Sequence, residues 1–67
     1  MSLIYAVLGA GRQGVAAAYD LARLGGAKEV RLFDLDAETA MQGAEKVNKL
    51  LQTQIVQGKA LDVTHPN

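Results

Sequence analysis

The chain has 67 residues, seven basic and seven acidic side chains that cancel to zero net charge, and no cysteine. A chain this short buries only about 60% of its unfolded surface, and no disulfide or thiolate–metal centre can reinforce it. The charge balance offers no basic face to nucleic acid or to an anionic membrane, and the lone His65 argues against a metal site. No apolar run approaches the ~20 residues of a membrane span. The opening MSLIYAVL has neither a basic leader region nor a cleavage site, so the expected location is cytoplasmic.

The first predicted element is LIYAVL, Leu3 to Leu8, a continuous apolar run that ends at a glycine. It reads as a strand buried on both faces, the habit of parallel sheets. From Gly11 to Leu24 the chain is rich in alanine and free of proline, which predicts a helix. Gly14, Ala17, Ala18, Leu21 and Leu24 share its expected inner face, with Asp20 and Arg23 opposite, and Gly25 and Gly26 stop it.

EVRLFD, Glu29 to Asp34, alternates as a second strand, with Val30 and Leu32 on one side and Arg31 and Phe33 on the other. Asp36 is placed to cap a helix from Ala37 to about Gln52. Ala40, Ala44, Val47 and Leu51 form that helix's apolar stripe, widened by Met41 and Leu50, while Glu38, Gln42, Glu45 and Lys49 face water. Gln54 to Val63 reads as a third strand with its exit, and THPN as a turn in which His65 is an exposed loop residue.

Strand–helix–strand–helix–strand with short connections predicts an α/β unit with a three-stranded parallel sheet in the order 3-2-1. This is the half-Rossmann β-α-β-α-β unit, one mononucleotide-binding half of a doubly wound domain. Residues 1–67 are accordingly expected to be the N-terminal part of a longer dinucleotide-binding domain. A fourth strand would then be missing beside the first, leaving LIYAVL as an apolar edge through which the chain is expected to self-associate.

The stretch GAGRQG supplies Gly9, Gly11 and Gly14 in the pattern G-x-G-x-x-G, after a strand and at the start of a helix. In that setting Gly9 permits the tight turn, Gly11 lets the main chain approach a pyrophosphate, and Gly14 lets the helix pack close to the strand. Arg12 and Gln13 fill the variable positions; their amides face the phosphates, and the Arg12 side chain either neutralises one or lies solvated. Asp34 closes the second strand 20 positions beyond Gly14, where an acidic residue accepts the ribose hydroxyls.

A carboxylate at that place favours NAD, because a 2′-phosphate would meet a like charge and forgo the hydrogen bond. Arg12 in the turn keeps NADP open. Asp62 and Val63 follow the third strand, either beside the adenine or capping the turn. No catalytic residue is identified.

The run VLGAGRQGVAAAYDLARLGGAKEVRLFDLDAE resembles the N-terminal cofactor domain of the saccharopine dehydrogenase-like family, which includes lysine dehydrogenases, and KALDVTHPN resembles that family's third-strand exit. The resemblance implies a parent enzyme that oxidises an amino acid or secondary amine with a nicotinamide cofactor. It places Gly9, Gly11, Gly14 and Asp34 at the phosphate and ribose, and Asp62 and Val63 at the adenine. GKALD, Gly58 to Asp62, is also similar to malate dehydrogenase-like enzymes, but there no helix such as Ala37 to Gln52 intervenes. A non-catalytic nucleotide-sensing or interaction module on the same fold is the remaining alternative.

Overall fold

The computed structural model describes residues 3–24 and 26–61. Its elements run β1 (Leu3–Leu8), α1 (Arg12–Leu24), β2 (Ala27–Asp34), α2 (Ala37–Leu51) and β3 (Val56–Ala60). The three strands form one parallel sheet in the order β1-β2-β3, so the half-Rossmann unit and its strand order are as the sequence predicts. Residues 62–67, with Asp62, Val63 and His65, and Gly25 lie outside the described residues.

Register decides which side chains share a face. Tyr5 pairs with Val30 and Val7 with Leu32, and these β2 residues pair in turn with Val56 and Gly58 of β3. Both helices cover this face. A Cβ on Gly14 of α1 would reach the Val7 side chain, and one on Gly43 of α2 would press on Leu32 and on Val15 of α1. The core consists of Ala10, Ala18, Val30, Leu32, Ala44, Val47 and Val56. Small residues dominate it, and the layers are correspondingly close. At Gly58 a Cβ would overlap the carbonyl of Ala40, so β3 runs directly under the first turn of α2. Asn48 of α2 fixes the start of β3, its amide donating to the Val56 carbonyl (2.8 Å) and its oxygen accepting from the Val56 N–H (3.0 Å).

Both ends of α2 are closed by specific residues. Asp36 caps the N-terminus in an extended conformation, as expected, and Gln52 ends the helix in the left-handed region at φ 53°, donating its N–H to the carbonyls of Asn48 and Lys49. The expected helix thus stops one residue earlier. The expected starts of α1 and β2 shift by one and two residues, and β3 is shorter, with Gln54, Ile55 and Leu61 outside it.

Three expectations about burial are corrected. β1 is not buried on both faces. Among the described residues it pairs only with β2, and because both crossovers lay their helix on one side, Ile4 (51% exposed), Ala6 and Leu8 (70%) lie on a face that none of those residues covers. On α1 the side chains packed on the core are Val15, Ala18, Tyr19, Leu21 and Ala22, while Ala17 and Leu24 face outward. Arg12, Gln13, Asp20 and Arg23 share one polar face; opposite its centre lie Gly14, Ala18, Leu21 and Ala22, whereas Ala17 and Leu24 fall near its boundary. On α2, Met41 and Leu50 lie at 60% and 62% exposure, beyond a stripe that Ala40, Gly43, Ala44 and Val47 suffice to fill.

Candidate dinucleotide site

The carboxyl ends of β1 and β2 and the amino ends of α1 and α2 meet at one edge of the sheet. The chain turns out of β1 at Gly9, whose φ of 94° is the region L side chains avoid, and the Gly9 N–H donates to the Phe33 carbonyl (2.7 Å). Gly14 sits where the helix crosses back, and a Cβ there would overlap the Gly9 carbonyl oxygen. Gly9 is therefore required by its backbone conformation and Gly14 by the packing of the helix on the turn.

Gly11 is different. Its φ is not in the left-handed region, and a Cβ there would meet nothing within 4 Å. The Val15 N–H donates to the Gly11 carbonyl (2.9 Å), which makes Gly11 the residue that caps α1. It has no side chain with which to do so. The first four amides of a helix have no partner within it, so those of Gly11, Arg12, Gln13 and Gly14 converge at an end without a side-chain acceptor from the cap position. The first turn also carries no acidic residue. Arg12 and Gln13 are exposed, and Arg12 lies on the rim of a groove of about 450 Å³ between α1 and α2, shared with Val15, Tyr19, Lys46, Val47 and Leu50. Such an end, with free N–H groups and the positive end of the helix dipole, attracts an anion by typically ~0.3–1 kcal/mol when exposed.

Asp34 stands beside it. One carboxylate oxygen accepts from the Ala10 N–H (2.9 Å), and the other accepts from the Asp36 N–H (3.0 Å). The Asp34 carbonyl accepts from Leu61 (2.7 Å), so the exit of β3 passes alongside. The Ala10 amide holds the Asp34 carboxyl below the ordinary aspartate range. The Asp36 amide adds to the effect, desolvation opposes it, and the Leu35 amide contributes last. Each carboxylate oxygen retains a second lone pair, so the group can still accept hydroxyl donors from outside.

The sequence reading missed two participants. Ala10 is buried and supplies the amide that orients Asp34; its small size between two glycines was the available signal. Asp36, read as a helix cap, also holds Asp34 through its own N–H. Among the described residues no group of three or more His, Cys, Asp or Glu side chains could hold a metal, and no helix is long and apolar enough to cross a membrane.

No family model matches the chain, and no curated protein matches it. Among solved structures, it is similar to quinate dehydrogenase from Corynebacterium glutamicum in complex with NAD, with a TM-score of 0.80 and 28% sequence identity. The match covers 90% of this chain and 21% of that one, so this chain spans about a fifth of its neighbour's length. The β-α-β-α-β unit is thus one found within an NAD-complexed dehydrogenase.

A depressed carboxyl pKa stabilises the fold above the group's unfolded value and ceases to do so as pH falls through the folded one. Thermal stability is therefore expected to decline in acid from about the ordinary aspartate value of 3.8 downward. Asp34→Asn, which turns one acceptor into a donor facing a backbone N–H, should melt lower at neutral pH and show a flatter acid limb in melts followed by circular dichroism. A variant with the same acid limb as the wild type would remove Asp34 from this role.

Proposed function

We propose that the chain is the first nucleotide-binding half of a nicotinamide-dependent dehydrogenase domain and that it binds NAD. The observation that carries the reading is Gly11, a glycine that neither backbone conformation nor packing demands, at an uncapped helix end beside an oriented carboxylate. The pyrophosphate would lie on the amides of Gly11 to Gly14, with the Arg12 and Gln13 amides among them and the Arg12 side chain available to one phosphate. Gly9 shapes the turn, and Asp34 takes the ribose hydroxyls. Asp62 and Val63 follow Leu61, which is bonded to Asp34, and we assign them to the adenine. The solved neighbour is an NAD complex, which favours NAD over NADP in the same direction as Asp34 does. The bound cofactor would supply hydride acceptance, and the residues described here bind and orient it.

For the substrate of the parent enzyme, the resemblance to saccharopine and lysine dehydrogenases favours an amino acid, whereas the solved neighbour is named for quinate. Hydride transfer to NAD assayed with lysine, saccharopine, malate and quinate separates these, and turnover of none favours the sensing module. A cytoplasmic setting belongs to the same reading, with a cysteine-free composition that fits a reducing compartment.

Self-association through β1 is part of the proposal. Leu3–Leu8 is an edge strand with no charged residue or proline to block pairing, and it exposes Ile4 and Leu8. Light scattering should return a mass above one chain, and Tyr5→Pro or Ile4→Lys should lower it. A single-chain mass at high concentration would contradict this part alone.

For the cofactor, Gly11→Ala is expected to lower the melting temperature only slightly, because alanine caps a helix less well than glycine, while weakening NAD at least about tenfold, that is by ~1.4 kcal/mol, in calorimetric titration. Wild-type affinity retained in that variant would overturn the proposed phosphate site.

A further inference from the structure

The two strand–helix junctions at the binding edge end in opposite ways. α1 begins at a glycine with no acid in its first turn. α2 begins at Asp36, one of whose oxygens accepts from the Glu38 N–H (3.0 Å) and the other from the Thr39 hydroxyl (3.0 Å). Glu38 places a further carboxylate in that turn. The Asp36 N–H meanwhile donates to Asp34 (3.0 Å), so the acid-capped end of α2 adjoins the carboxylate assigned to the ribose.

A 2′-phosphate adds up to about two negative charges and three acceptor oxygens, as a phosphate ester does elsewhere. It requires donors or cations near the ribose. In this loop the Asp36 amide is taken by Asp34 and the Glu38 amide by Asp36, and residues 35–38 contain no cation.

Resting on the NAD reading above, we propose that Asp36 is a second specificity-determining residue, whose carboxylate closes the end of α2 and turns a 2′-phosphorylated dinucleotide away. Asp34 alone would leave the α2 amides open to the extra phosphate. With Asp36 in place, a 2′-phosphate meets two carboxylates and finds those two loop donors engaged. The N-terminus of α2 is by this account closed to anions, in contrast to that of α1.

Asp36→Asn tests this with little disturbance, because asparagine caps helices as well as aspartate does and only the charge is lost. Asp36→Ser is a second uncharged cap. Calorimetric titration of the full chain with NAD and with NADP should show NAD affinity within about twofold of wild type in both variants. NADP should tighten about five- to tenfold, the size expected for removing one like charge a few ångströms from the phosphate in high dielectric.

A purely structural cap would move both cofactors together, so parallel weakening of NAD and NADP overturns the proposal. So does NADP affinity that is unchanged, or undetected throughout, while NAD still binds; the NAD reading then stands and Asp36 is excluded. Wild-type chain that binds neither dinucleotide overturns both.

Discussion

One carboxylate holds the binding edge together. Asp34 ends β2 and accepts the amide of Ala10 from the β1–α1 turn with one oxygen and the amide of Asp36 from the β2–α2 turn with the other. Two loops that belong to different strand–helix units are thereby fixed to a single group. The cost is that the carboxyl must stay ionised, and the same two amides that it orders hold its pKa down. A charged, oriented acceptor next to uncapped helix amides is what the proposed dinucleotide site consists of. Everything further from it serves to bring these two helix ends to one side of the sheet.

The geometry that brings them there comes from small side chains. Gly14 lets α1 cross over the Gly9 carbonyl, and Gly58 lets β3 pass beneath Ala40. Among the described residues only Leu32, Val30 and Val47 are large side chains that are fully buried, and close backbone approach takes the place of bulk in filling the interior. The arrangement leaves little slack. Any side chain at Gly14 or Gly58 meets backbone atoms, which cannot swing aside as a rotamer can.

Much of this was legible in the sequence because the constraints are local. Gly9 and Gly14 sit at fixed offsets from the end of an apolar strand, Asp34 closes the next strand, and Asp36 precedes a helical pattern, so turn, crossover and cap follow from residue type and spacing. What was not legible depends on neighbours. On α1 the polar face of Arg12, Gln13, Asp20 and Arg23 sets the rotation, and Ala17 and Leu24, near the boundary of that face, turn outward while Val15 and Ala22 turn in. Met41 and Leu50 look like core in a list of apolar positions, yet the close approach of α2 to the sheet at Gly43 and Gly58 leaves them no space there. The role of Ala10 was hidden because it acts through its backbone N–H, about which its side chain says only that it is small.

The most direct test of the account is a titration of isotopically labelled chain with NAD, followed amide by amide in nitrogen–proton correlation spectra. The account predicts saturable shifts that are largest at Gly11 to Gly14 and at Asp34 to Asp36. Shifts confined instead to Tyr19, Lys46 and Leu50 along the groove between the helices, with the glycine-turn amides unmoved, would contradict it.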